Sequence, residues 1–193
     1  MTNMTLTTGA SSLETIVGRR TWQMVTAAVL GSLFLAAMAQ IQVPFFPVPM
    51  TLQTLAVMLI GLTFGFRLAT ATVALYLAEG ALGLPVFAGF AGGPAIFLGG
   101  TAGYLVGFLA AAMAMGLMVD RGVAKSWIGR VLTLAVGQTL IFGLGIAYLA
   151  SLYGFSKALD YGFYPFIAGD LLKTAIAAIS GTYLLQAFAR FGK

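Results

Sequence analysis

The chain has 193 residues, of which 60% are hydrophobic and only 8% are charged, whereas soluble domains carry about 25% charged residues. This composition predicts an integral membrane protein, so the formal charge of +5 is interpreted as a topology signal and we expect no nucleic-acid partner. Cysteine and histidine are both absent, which excludes thiol chemistry, disulfides and the commonest metal and general-base sites. We therefore expect no enzyme, no bound metal and no cofactor.

Six apolar segments, long enough to cross or nearly cross a bilayer as helices, follow one another along the chain. The second and third are short and nearly contiguous, which predicts a tight turn at Arg67. No linker appears, so we predict one all-α integral membrane domain over residues 22–193, a compact bundle of six transmembrane helices, after a flexible cytoplasmic tail over residues 1–21. The predicted spans are Trp22–Val43, Thr51–Phe66, Leu68–Leu84, Leu98–Val119, Ile128–Tyr153 and Pro165–Ala189.

Basic residues concentrate on one side of this predicted bundle. Eight of the ten bases fall there, and Lys157 is the base in an opposite loop. Because Lys and Arg accumulate in cytoplasmic loops, we place both termini in the cytoplasm of a multi-pass protein surrounded by membrane lipid. The eight are Arg19, Arg20, Arg67, Arg121, Lys125, Arg130, Arg190 and Lys193.

Small residues recur at every fourth position in two spans. In lipid, helix association depends on packing, and small residues let backbones approach closely. For the stripe of span four we favour packing inside the bundle. The stripe of span one is also a candidate surface for docking a second membrane protein. The stripes are Gly99, Gly103, Gly107 and Ala111 in span four, and Ala28, Ser32 and Ala36 in span one.

Three ionisable residues remain at membrane depth after the loop charges are set aside: Glu79, Asp170 and Lys173. Such charges are costly in a bilayer and indicate a functional site by default. Asp170 and Lys173 are three residues apart on a predicted helix, so both project from one face. They either neutralise each other or match a ligand with N–H and C=O groups on one edge, such as an amide or ureido group. Glu79 lies near a helix end that water can reach.

Two loops face the same predicted exterior side as this pair. In PFFPVPMTLQT, three prolines restrict the loop and hold Thr51 and Gln53 at the mouth of span two. The second loop, GLPVFAGFAGGPAIFLGG, is rich in glycine, proline and aromatic residues, which is typical of the wall of a small-molecule pocket. The further candidate ligand residues are Phe87, Gly89 and Phe90 in that loop, with Tyr104 and Tyr164 as candidate hydroxyl donors.

Four motifs between Gln42 and Ala178 resemble, in sequence and in order, the conserved motifs of a known family. They are PVPMTLQT, YLAEGALGLPVFAG, GTAGYLVGF and PFIAGDLLKTAIAA. Together they resemble the BioY family, the biotin-binding S components of energy-coupling factor (ECF) transporters. The chain departs from the family pattern at Gly100, where a proline is expected. It also departs at Gly89, which has no side chain for a polar ligand contact.

The resemblance implies a six-helix protein of a prokaryotic cytoplasmic membrane that captures biotin from outside with high affinity. Asp170 and Lys173 would meet the ureido ring, while Gln53 and the exterior loops would close over the ligand. It further implies a transmembrane T component and a pair of ATPases as partners, or self-association if the protein works alone. The alternative function is an ion-coupled secondary transporter of a small amide or ureido solute, with Asp170 and Glu79 as coupling sites.

Overall fold

The computed structural model describes the backbone of residues 21–191, and the side chains within that range except at 182 and 184–191. The predicted tail therefore lies almost wholly outside the described residues. Within them the chain forms seven α-helices and one two-stranded antiparallel sheet. In chain order these are α1 Thr21–Gln40, β1 Gln42–Val43, β2 Met50–Thr51, α2 Gln53–Thr63, α3 Phe66–Ala81, α4 Ala102–Asp120, α5 Trp127–Tyr153, α6 Phe155–Gly162 and α7 Ile167–Phe191.

All six predicted spans are present as helices, which confirms the all-α class. Among the described residues, four segments are able to cross a membrane by length and composition: α1, α4, α5 and the stretch Phe155–Gly181, which joins α6 to the first part of α7. Helix α2 is apolar but shorter. The short helix α6 was not predicted.

Four predicted boundaries differ from the structure by three or four residues: span two ends at Thr63 and span three at Ala81, and two others, in spans one and four, have a clear local cause. Span one ends at Gln40, because the next residues form strand β1. Span four begins at Ala102 and not at Leu98, because the segment Pro94–Leu98 winds into a separate 3₁₀ turn with its proline in the first turn.

A short hairpin closes the loop between α1 and α2. Gln42 pairs with Thr51 and Val43 with Met50, and the Leu52 N–H donates to the Ile41 carbonyl oxygen at 3.1 Å. The three prolines of the loop lie between the strands, where no ladder N–H is required. The hairpin therefore fixes the start of α2 beside the end of α1.

A tight turn joins α2 to α3, close to the predicted position. Gly65, at a φ of 82°, supplies the left-handed conformation that the turn requires. The N–H of Phe66, at the start of α3, donates to the Asp120 carboxylate at 2.9 Å. A carboxylate at this position satisfies a free helix N–H and complements the positive end of the helix dipole.

Three of the four small residues predicted to pack inside the bundle in span four do so; the fourth, Gly99, is exposed and precedes α4. A Cβ atom on Gly103 would lie 2.5 Å from the Leu144 carbonyl oxygen, and one on Gly107 would lie 2.8 Å from the Ile141 Cα. Ala111 is fully buried. Helices α4 and α5 therefore approach at backbone distance along this stripe.

The small stripe of span one does not form an exposed docking surface, so that prediction was wrong. Ala28 is 7% exposed and Ser32 is fully buried, because this face of α1 packs against α3. The Ser32 hydroxyl lies 3.1 Å from Glu79 Oε1 and 3.0 Å from the Val29 carbonyl oxygen. Ala36 is half-buried. The residues that α1 exposes are instead large and apolar, including Trp22, Leu30 and Leu33.

Candidate functional site

A cavity lies between α2, α4, α5, the start of α7, the proline-rich loop before α2 and the glycine-rich loop after α3. Its lining is mainly apolar and aromatic, with a small polar cluster at one place, which is the usual build of a small-molecule site. The lining residues are Val48, Pro49, Thr51, Gln53, Thr54, Phe87, Ala88, Ala91, Ile96, Thr101, Tyr104, Leu105, Phe108, Ile141, Phe142, Phe166, Asp170 and Lys173.

Asp170 and Lys173 form the predicted pair at the start of α7. Lys173 Nζ lies 2.9 Å from Asp170 Oδ1; Asp170 is 3% exposed and Lys173 is 6% exposed. Asp170 is in the first turn of α7, where the helix dipole stabilises a negative charge. Both charges are thus buried, paired and directed to one place, as the helical spacing predicted.

Lys173 uses all three of its N–H donors within the protein. Besides Asp170, it donates to the carbonyl oxygen of Thr51 at 2.7 Å and to the Thr54 hydroxyl at 3.0 Å. These bonds tie α7 to the hairpin and to α2. A lysine with three partners is fully satisfied, so its position is fixed before any ligand arrives.

Asp170 retains one free acceptor. Its Oδ1 receives bonds from Lys173 and from the Thr54 hydroxyl at 2.8 Å. Its Oδ2 is buried and has no hydrogen-bond partner among the described residues. Leaving a buried carboxylate oxygen unpaired is costly, so this atom is the natural acceptor for a ligand N–H.

Gln53 and Thr51 line the cavity, but their side chains are already bonded. The Thr51 hydroxyl donates to Gln53 Oε1 at 3.0 Å. Gln53 Nε2 donates to the Tyr76 hydroxyl, which in turn donates to the Val86 carbonyl oxygen at 3.1 Å. Gln53 therefore connects the polar cluster to the loop after α3.

The apolar walls of the cavity are built from aromatic rings packed edge to face. Phe87 is 3% exposed and stands between Tyr76 and Phe97, with ring centroids 5.3 and 5.8 Å away. On the other side, Phe142 packs against Phe166 at 6.4 Å. Such rings offer a rigid apolar surface for a ring system of similar size.

Tyr104 lines the cavity with its ring, but its hydroxyl is committed elsewhere. That hydroxyl donates to the carbonyl oxygen of Gly162 at 2.7 Å. Gly162 is at the end of α6, so the bond fixes this short helix against α4. Because the Tyr104 hydroxyl already donates to Gly162, this geometry does not favour the predicted hydrogen bond from Tyr104 to a ligand.

Four other predicted ligand residues do not line the cavity. Glu79 faces α1, where it is bonded to Ser32. Phe90 and Tyr164 turn their rings outward and are 70% and 57% exposed. Gly89 forms part of a turn with a φ of 68° and does not contact the cavity. Its positive φ explains the glycine in conformational terms.

Sequence analysis missed several residues of the cavity. Thr54 forms hydrogen bonds with both members of the charged pair. The sequence feature that could have identified it is its position beside Gln53, about one turn into a predicted span. The aromatic and aliphatic residues within the spans carried no signal, because an apolar residue in a membrane span has the same appearance whether it faces a cavity, a helix or lipid. The residues missed are Val48, Pro49, Thr54, Ala88, Ala91, Ile96, Thr101, Leu105, Phe108, Ile141, Phe142 and Phe166.

The chain is similar over most of its length to known proteins. The BioY family model matches residues 7–190. A probable biotin transporter BioY of Pyrococcus horikoshii is 44% identical over 141 residues, 73% of this chain and 83% of the relative. The biotin transporter BioY of Thermotoga maritima is 36% identical over 158 residues, 81% of this chain and 92% of the relative.

A solved structure has the same fold. It is the crystal structure of the S-component for biotin from an ECF-type ABC transporter, which matches with a TM-score of 0.76 at 26% identity and covers 86% of this chain and 92% of the other. The four motifs, the helical fold and these matches agree, and the chain belongs to the BioY family.

Proposed function

We propose that this chain captures biotin with high affinity and serves as the substrate-binding S component of an ECF-type transporter in a prokaryotic cytoplasmic membrane. Its similarity to biotin transporters and to a solved S-component for biotin supports biotin as the ligand. The observation that carries the proposal is the free, buried Oδ2 of Asp170. It lies in a cavity that is otherwise mainly apolar.

The chemistry of biotin suits this arrangement. A ureido group presents N–H donors beside a carbonyl acceptor, and the fused sulfur-containing ring is apolar. Asp170 Oδ2 would accept one N–H, and charge-assisted bonds of this kind are about twice as strong as neutral ones. The ring system would pack between the aromatic walls that include Phe87 and Phe142.

Uptake against a gradient requires an energy source outside this chain. The sequence contains no G-x-x-x-x-G-K-[ST] phosphate loop. We propose that a transmembrane T component and a pair of ATPases supply the energy, with self-association as the arrangement if the protein works alone. The chain itself would act as a binding and transport protein, not as an enzyme.

Calorimetric titration of the detergent-purified protein with biotin tests this proposal. The parent protein should bind tightly, and Asp170→Asn should weaken binding at least tenfold, since it replaces a charged acceptor with a neutral amide. Lys173→Met should also weaken binding, because Asp170 loses its buried counter-charge. Absence of heat with the parent, or unchanged affinity in both variants, would refute the proposed site.

A further inference from the structure

A glutamine at the end of α1 binds the loop that forms one wall of the cavity. Gln40 Nε2 donates to the carbonyl oxygen of Phe87 at 3.0 Å, and Gln40 Oε1 accepts the N–H of Phe90 at 3.0 Å. Nε2 also lies 3.2 Å from the Ala36 carbonyl oxygen within α1. One side-chain amide thus pairs with an acceptor and a donor of the same turn, much as a neighbouring strand would.

One residue of the turn that Gln40 binds, Phe90, has a conformation that its residue type does not favour. Phe90 has a φ of 57°, in the left-handed region that non-glycine residues other than Asn and Asp rarely adopt. Phe90 as a whole is 70% exposed, so side-chain packing does not explain the conformation. Such strained residues persist only where surrounding contacts impose them, and the bond from the Phe90 N–H to Gln40 Oε1 is one such contact.

The same turn positions a wall of the cavity. The Phe87 N–H donates to the Ala91 carbonyl oxygen at 3.0 Å, which closes the turn, and both residues line the cavity. Gln40 itself does not line it. Gln40 therefore fixes the backbone of Phe87 from behind, while Tyr76 and Phe97 fix its ring.

We infer that Gln40 is a positioning residue, which holds the turn from Phe87 to Ala91 closed and thereby sets how long biotin stays in the cavity. The inference rests on the proposed function for the identity of the ligand. Loss of the two bonds from Gln40 would free the turn to leave its left-handed conformation, and Phe87 would no longer be held at the cavity. Release of biotin would then be faster, while the polar cluster around Asp170 remained in place.

The first arm of the test needs no ligand. Gln40→Met keeps the length and approximate volume of the side chain but removes both loop bonds. Hydrogen exchange, followed by mass spectrometry on peptides covering residues 84–93, should be faster in this variant than in the parent. Gln23→Met is the matched control, because it makes the same change about 25 Å away at the other end of α1 and should leave this exchange unchanged.

The second arm measures dissociation of labelled biotin from the purified proteins, with the number of binding sites counted separately. Gln40→Met should speed dissociation about tenfold, as the loss of one to two net hydrogen bonds predicts, with the number of sites unchanged. A merely structural role would lower the number of active sites and leave the dissociation rate per site unaltered. Adding Phe90→Asn should slow dissociation again, because asparagine tolerates the left-handed conformation.

The two arms separate the different failures. Unchanged exchange in Gln40→Met would overturn the inference whatever the ligand. Faster exchange with an unaltered dissociation rate would overturn the link between the turn and retention. If the parent protein does not bind biotin, the proposed function fails, and the exchange arm still decides whether Gln40 holds the turn.

Discussion

Asp170 and Lys173 differ in what they have left to offer a ligand. Lys173 has three partners, including the carbonyl oxygen of Thr51, so a bond from it to a ligand carbonyl must replace an existing one. Asp170 has a buried oxygen without a partner among the described residues. The carboxylate is therefore ready to bind, and the lysine holds it in place and balances its charge.

Thr54 should matter almost as much as the charged pair. Its hydroxyl accepts from Lys173 and donates to Asp170 Oδ1, so Thr54→Val removes both bonds without changing the shape of the side chain. We expect biotin affinity to fall about tenfold, the usual effect of losing a hydrogen bond to a charged group. Thr54→Ser keeps the hydroxyl and is the control in the same titration; equal losses in both variants would contradict this role.

The two carboxyl groups at membrane depth should respond differently to neutralisation. Glu79 lies outside the cavity and contacts Ser32 of α1, and a glutamine there still offers an oxygen to that hydroxyl. Glu79→Gln should therefore leave biotin affinity within about twofold of the parent, whereas Asp170→Asn should lose at least tenfold. Calorimetric titration of both variants with biotin measures the two affinities. A large loss of affinity in Glu79→Gln would show that Glu79 takes part in ligand binding after all.

The charged pair was predictable because two charges in an apolar segment have few explanations, and helical spacing puts positions i and i+3 on one face. Glu79 satisfied the same rule, but it packs between two helices, which only the tertiary structure reveals. Gln40 was not predicted, because a polar residue at a helix end is unremarkable until its distant partners at 87 and 90 are known.

At the scale of elements, the lack of a side chain at Gly80 of α3 leaves a space that the ring of Phe87 fills. A Cβ atom on Gly80 would lie 2.0 Å from the ring carbon Cζ of Phe87, and that ring is held between Tyr76 and Phe97. The closeness of this contact makes Gly80 the point where α3 determines the position of the cavity wall.

Gly80→Ala should displace the Phe87 ring and weaken biotin binding about tenfold or more, since overpacking a filled site costs about 1–3 kcal/mol. The control is Ala78→Val, which adds apolar bulk to the same helix at an exposed position and should leave binding unchanged. Affinity is measured by calorimetry and folding by thermal unfolding in detergent. Unchanged affinity in a folded Gly80→Ala protein would show that the wall adapts.

The helices were predictable from apolar length, because a bilayer requires about 20 apolar residues per span. The small helix α6 was not predictable, since FSKALDYG is short and contains one basic and one acidic residue, so it has the composition of a loop. Its position depends on a distant bond, from the Tyr104 hydroxyl to the Gly162 carbonyl oxygen, and no local pattern encodes that bond.

At the scale of the whole molecule, the direction of capture depends on topology. The sequence has no cysteine, so single cysteines at exposed positions report their own accessibility. A membrane-impermeant maleimide added to intact cells should label Lys157→Cys in α6 and should not label Val123→Cys between α4 and α5, because the positive-inside rule places these on opposite sides. Permeabilised cells, where both should react, are the control, and the reverse pattern would invert the topology.

The energy source separates an S component from an ion-coupled transporter. In cells that produce the chain with a T component and an ATPase pair, uptake of labelled biotin should stop when ATP is depleted and continue when the proton gradient is collapsed. The reason is that the chain supplies a binding site but no phosphate loop.

The Asp170→Asn variant gives the background for this assay, because it retains the helices but loses the ligand acceptor. Production of the chain without its partners distinguishes the two arrangements of the transporter: uptake should be lost if the ATPases are required and retained if self-association suffices. Uptake that follows the proton gradient and ignores ATP would contradict the assignment as an S component, and would place energy coupling within this chain, where the Asp170 carboxyl group lines the cavity.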